Sequence, residues 1–225
     1  MESLDEGRVR GLLNACGYHD PDIAVIKRFY RSCADVESTK IDAAPLLSVD
    51  GLLTFLSGIG IVIDPVDIAT KVRFLRAFDR DGDEFVDIFD ALVGLCVLDP
   101  TADTPSDLWT QCRLEMIFRF YDLDGDGALS WNDFEGLVKD MVVSCGVELK
   151  EQDLTDVARN IAARFPSTEV LSQNQFVQAV MHGVLESTGM NLDRLFRTAK
   201  DFRLEIKKSP LKSTYQTWQE FFLIL

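Results

Sequence analysis

Asp122-Leu123-Asp124-Gly125-Asp126-Gly127-Ala128-Leu129-Ser130-Trp131-Asn132-Asp133 sets three carboxylates at alternate positions, adds a glycine and closes on another acid. Hard oxygen donors at this spacing are what a twelve-residue loop needs to wrap calcium or magnesium. Counting Asp122 as position 1, Asp122, Asp124 and Asp126 supply side-chain oxygens at positions 1, 3 and 5. Ala128 at position 7 offers its backbone carbonyl, Ser130 acts at position 9 directly or through water, and Asp133 closes the ring at position 12. Gly127 at position 6 permits the positive φ of the sharp turn. Leu129, at position 8, is the apolar residue placed to pair with a neighbouring loop.

Upstream lies a near-copy, Asp79-Arg80-Asp81-Gly82-Asp83-Glu84-Phe85-Val86-Asp87-Ile88-Phe89-Asp90. Asp79, Asp81, Asp83, Asp87 and Asp90 fill positions 1, 3, 5, 9 and 12, Phe85 offers the position 7 carbonyl, and Val86 holds position 8. Glu84 replaces the glycine at position 6. A non-glycine residue held in the left-handed region costs roughly 1–2 kcal/mol, so a weaker or slower upstream site is expected. Both loops end in Asp rather than Glu, and the shorter side chain reaches less easily for bidentate contact. Modest calcium affinity with real magnesium competition follows.

Helical patterns flank the downstream loop. Leu108, Cys112, Ile117 and Phe120 form an incoming stripe, and Phe134, Leu137, Val138 and Met141 an outgoing one. Thr104-Pro105-Ser106-Asp107 reads as a helix start with proline in the first turn.

The whole chain is acidic, with a net charge of −14 over 225 residues, which argues against a nucleic-acid binder. No long uninterrupted apolar run predicts a transmembrane helix, and Met1-Glu2-Ser3-Leu4-Asp5-Glu6 reads as neither a secretory signal nor a Met-Gly acylation start. Five scattered cysteines without a C-x-x-C pair fit a reducing, cytoplasmic setting. His19 and His182 are too few and too far apart for a catalytic or zinc constellation, so structural roles are expected for both. With no nucleophile motif or phosphate loop either, the chain is not expected to be an enzyme.

Two further segments look like worn versions of the same helix–loop–helix unit. Asp20-Pro21 opens a helix through Ile23, Ile26, Phe29 and Tyr30, and a second apolar run extends from Leu52 to Ile61, with no run of three alternating carboxylates between Ser32 and Asp42. Near the other end, Leu154, Val157, Ile161 and Ala162 lead to Phe165, and a connection with Glu169 as its single carboxylate leads to Phe176, Val177, Val180 and Met181. A lone helix–loop–helix leaves its apolar face exposed, so adjacent units are expected to pack in pairs. The expected layout is an N-terminal extension (residues 1–19), an N-terminal lobe (20–99), a linker (100–106), a C-terminal lobe (107–187) and a tail (188–225).

That tail is basic and amphipathic. Leu192, Leu195, Phe196, Phe202 and Ile206 alternate with Arg194, Arg197, Lys200, Arg203, Lys207 and Lys208 before Pro210 breaks the pattern. It reads as a last core helix, as an internal ligand lying in a target-binding groove, or as an anchor to a larger assembly or membrane surface.

The runs Phe74-Leu75-Arg76-Ala77-Phe78-Asp79-Arg80-Asp81-Gly82-Asp83 and Ile117-Phe118-Arg119-Phe120-Tyr121-Asp122-Leu123-Asp124-Gly125-Asp126-Gly127 resemble the EF-hand superfamily. Within it, residues 20–187 are most similar to the four-hand calcium sensors of the calcineurin B, neuronal calcium sensor and calaxin types. Terminal Asp in both loops, Glu84, and the lack of a lipidation signal depart from that pattern. The resemblance implies an all-α fold of two EF-hand pairs, with the first and fourth hands degenerate, and no catalysis. It also implies calcium or magnesium as the bound ion, and a protein partner whose amphipathic helix is gripped in an apolar groove. The chain would then be a subunit of a larger complex, in the cytoplasm or at cytoskeletal or ciliary structures. The alternative is a constitutive structural subunit whose metals brace the fold. Phe89, Leu92, Leu95, Phe134, Leu137, Met141 and Val142 are the candidates for core and groove.

Overall fold

A computed structural model describes residues 6–36, 45–58, 68–98, 107–144, 150–165 and 170–183. The expected linker at 100–106 and tail at 188–225 lie outside these, as do residues 59–61 of the expected second apolar run. The described residues are mostly helical: α1 (Glu6–Ala15), α2 (Asp20–Cys33), α3 (Val49–Gly58), α4 (Ile68–Phe78), α5 (Ile88–Leu98), α6 (Asp107–Tyr121), α7 (Trp131–Ser144), α8 (Glu151–Ala162) and α9 (Gln173–Met181). Two short strands, β1 (Ala128–Leu129) and β2 (Leu171–Ser172), pair antiparallel. Among the described residues no helix is long and apolar enough to cross a membrane.

Local chemistry accounts for where the helices begin. Pro21 and two acids, Asp20 and Asp22, occupy the first turn of α2, and Asp22 accepts a hydrogen bond of 2.9 Å from the His19 N–H. At α9 the Ser172 N–H donates to Gln175 Oε1 at 3.0 Å while the Gln175 N–H donates to Ser172 Oγ at 3.4 Å, a capping box.

Two cores form, and α6 serves both. The first gathers α1 to α5 and takes Trp109, Cys112 and Met116 from α6; the second gathers α6 to α9 around Leu114, Phe118 and Tyr121. Partly buried Ile117 and Phe120 pack against each. In the second core Phe165 stacks on Phe176 at 6.2 Å and meets Phe134 edge-on at 5.3 Å.

Residues 6–19 also feed the first core. Val9, Leu12 and Leu13, one helical stripe of α1, are each 2% exposed, and α1 packs on α5. With α1, α4 and α6 around it, α5 is buried continuously from Asp90 to Val97, as a helix apolar on every side requires.

Short β contacts join neighbouring loops. Leu47, just before α3, pairs with Val86, exchanging N–H···O bonds of 3.0 Å in both directions. In the C-terminal half Leu129 pairs with Leu171. The Tyr30 hydroxyl, buried at the end of α2, lies 2.8 Å from the carbonyls of both Val86 and Pro45, so it can bond to either.

Candidate metal centre

The upstream loop runs from the end of α4 to the first turn of α5, and the downstream loop from the end of α6 to the first turn of α7. Among the described residues two acidic groups converge: Asp79, Asp81 and Asp83, and Asp122, Asp124 and Asp126. In each group one oxygen from every member lies within 4.8 Å of the others, a span that one ion bonded at about 2.3–2.6 Å can bridge. An all-oxygen, carboxylate-rich donor set suits a hard divalent cation.

Backbone amides hold the first ligand of each loop in the same way. Asp79 accepts from the N–H groups of Gly82 at 2.8 Å and Glu84 at 2.9 Å; Asp122 accepts from Gly125 at 2.8 Å and Gly127 at 2.9 Å. At position 5, Asp83 accepts from the Phe85 N–H and Asp126 from the Ala128 N–H, each at 2.9 Å. These bonds aim the carboxylates before any ion arrives.

The turns match as well. Gly82 and Gly125 have φ of 76° and 74°, and Gly127 has 83°. Glu84, at the position equivalent to Gly127, has φ of 69° and is the one non-glycine residue in the left-handed region among the described residues. The expected strain is therefore present in the fold.

The later positions diverge. Ser130 and Asp133 make a reciprocal pair at the start of α7: the Ser130 N–H donates to Asp133 Oδ2 at 2.9 Å, and the Asp133 N–H reaches Ser130 Oγ at 3.3 Å. Asp87 caps α5 through a 2.7 Å bond from the Asp90 N–H. Asp90 itself faces back across the loop, accepting from the Arg80 N–H at 3.5 Å and lying 3.8 Å from the Arg80 guanidinium. Asp87, Asp90, Ser130 and Asp133 thus adjoin the converging triads without being members of them.

Burial shapes the charges. Desolvation raises the carboxyls of Asp79 and Asp122 above the usual range, against the pull of the amides that bond them. Asp90 is pushed up to about 7, by burial first and then by Asp87, with Arg80 opposing. Neutralising such carboxylates is what an incoming cation does. Arg80 was not singled out in the sequence; its signal was a base at position 2, inside a run of acids.

The first and fourth units hold no comparable triad among their described residues. In the first, Asp35 spends its carboxylate on Ser48, accepting from the N–H at 2.8 Å and also from the hydroxyl. Glu169 lies outside the described residues. In comparisons with known proteins, no family model matches the chain and no curated protein matches it.

Proposed function

We propose that this chain is a four-hand EF-hand protein that binds calcium, with magnesium competing, and serves as a regulatory or adaptor subunit for an amphipathic helix of a larger partner. One observation carries the reading: two loops of equal length, each between two helices, aim three carboxylates at one point with the same pattern of backbone bonds. Pairing of the hands is supported by the β contacts, since the apolar position 8 residues Val86 and Leu129 each meet the neighbouring loop. Carboxylates that repel one another without metal close on an ion, and the helices leaving the loops move with them.

Calorimetric titration with calcium, with and without millimolar magnesium, tests this reading. The expected result is saturable uptake of two calcium ions, weakened by magnesium; no uptake of either ion would refute it.

A second reading, a metal-braced structural subunit, is favoured by the enclosure of α5, which leaves that helix without an open apolar side. Trp109 discriminates, because its indole N–H donates at 3.0 Å to the Cys96 carbonyl and ties α6 to α5. With Trp131 and Trp218 replaced by phenylalanine, a calcium-dependent shift in Trp109 emission supports the sensor. Identical spectra in metal-free, magnesium and calcium states support the brace.

A further inference from the structure

The helices leading into the two metal loops pack on each other, with Phe74 of α4 meeting Phe120 of α6 edge-on at 5.3 Å. Each carries an arginine three residues before the first ligand of its loop: Arg76 before Asp79 and Arg119 before Asp122. Neither arginine serves its own loop in the bonds described. Arg76 Nη1 crosses to the downstream loop and donates at 2.6 Å to the Leu123 carbonyl and at 3.4 Å to that of Asp122. Its guanidinium also lies over Gly125, where a Cβ would come within 3.1 Å of Arg76 Cζ. In the opposite direction Arg119 aims Nε and Nη2 at one acceptor, the Ala77 carbonyl, at 3.2 and 2.9 Å.

These acceptors are where a cation is most useful. Carbonyls at a helix C-terminus have no partner within the helix and form the negative end of its dipole. Ala77 lies in the last turn of α4, two residues before Asp79, while Asp122 and Leu123 follow directly on α6. Each arginine therefore fixes the backbone that presents the other loop's first ligand.

We propose that Arg76 and Arg119 couple the two loops, so that an ion in either one raises the affinity of the other. The proposal rests on the metal-binding reading above and adds regulation to it. An ion that orders one loop fixes the end of its leading helix, and hence the arginine on it. That arginine then holds in place the backbone carbonyls beside the neighbouring loop's first ligand. The second ion meets a partly ordered loop and binds more tightly, without direct contact between the sites. Coupling of this kind is reciprocal and typically amounts to about 5–150-fold.

The test compares single-site proteins in two backgrounds by calorimetric titration with calcium. With native arginines, Asp79→Ala should weaken the downstream loop about fivefold or more, and Asp122→Ala should weaken the upstream loop by the same factor. In the R76Q/R119Q background both losses should shrink below about twofold, while R76Q/R119Q protein with both loops intact still takes up two ions and keeps its helical circular dichroism. If R76Q/R119Q loses that helical signal, R76K/R119K replaces it, and a reduced coupling is still expected because a point charge cannot reproduce the forked contact on Ala77. Equal losses in both backgrounds, or ions that bind independently in the native chain, would overturn the coupling alone. An absence of calcium uptake in the native chain would overturn the metal-binding reading and the coupling with it.

Discussion

The upstream loop, 79–90, and the downstream loop, 122–133, begin alike and end differently. Their first six positions share a backbone path, since Gly82 and Gly125 match in φ and Glu84 adopts the turn that Gly127 makes freely. Past position 8 the downstream loop binds its own backbone, with Asp133 and Ser130 closing on each other. The upstream loop instead sets a buried acid, Asp90, against an internal base, Arg80. A metal entering upstream must compete with that guanidinium and displace a proton, while the downstream loop presents no such base: its position 2 is Leu123, 41% exposed. Loops of one ligand spacing thus differ in what surrounds their last positions.

Removing a first ligand should have the largest effect. Asp79→Ala and Asp122→Ala each delete an oxygen pair and strand the backbone amides it had satisfied, those of Gly82, Asp83 and Glu84 upstream and of Gly125 and Gly127 downstream. Each variant is expected to take up one calcium ion instead of two, by calorimetry or equilibrium dialysis. The ion that remains in Asp79→Ala, bound downstream, should be held more tightly than the one that remains in Asp122→Ala. The opposite ranking would show that Arg80 and Glu84 do not weaken the upstream loop.

The proton on Asp90 gives a second test. Its carboxyl stands at about 7 in the folded, metal-free protein, against about 3.9 for a free aspartate. The folded state holds this proton more tightly than the unfolded one. Its contribution to stability is complete below about pH 4 and fades as pH rises toward 7. Metal-free protein should therefore lose melting temperature across that window, and Asp90→Asn should flatten the loss. In Asp122→Ala, where the upstream loop alone takes metal, each ion should release nearly one proton at pH 6 and about half at pH 7. Titration in buffers of different ionisation heats measures this, and no release at pH 6 would remove the proposed difference.

Much of this was legible in the chain because ligand spacing is local. Twelve consecutive residues name their own donors, and the helices on either side show their stripes. The strain at position 6 was equally readable, since the turn admits few residues and Glu84 is not one it favours. What the sequence hid was non-local. Val9, Leu12 and Leu13 do form a stripe, but its burial on α5 depends on contacts some eighty residues away, such as Cys16 Sγ facing the Cys96 carbonyl at 3.8 Å. The arginines were visible only as matching positions in two repeats; that each serves the other's loop depends on how α4 and α6 cross. Asp90 needed burial and Arg80 together before its charge could be read.

The smallest effect is the most specific to the comparison, an exchange of the residues at position 6. A Cβ built on Gly127 meets nothing within 4 Å, so Gly127→Ala carries only the penalty of a side chain in the left-handed region. That penalty is roughly 1–2 kcal/mol, offset in part by the about 0.5–1 kcal/mol that alanine gains by restricting the unfolded chain. Glu84→Gly removes the same penalty upstream, but glycine also gives the unfolded chain more freedom, worth about 0.5–1 kcal/mol. The net gain should be no more than about 1.5 kcal/mol, read from urea unfolding in the presence of a chelator. If Gly127→Ala is harmless, position 6 is not strained, and any weakness of the upstream site must come from Arg80 and Asp90 alone. If Gly127→Ala lowers stability while Glu84→Gly changes nothing, Glu84 is held by contacts that offset its backbone, and the two loops differ by more than the turn.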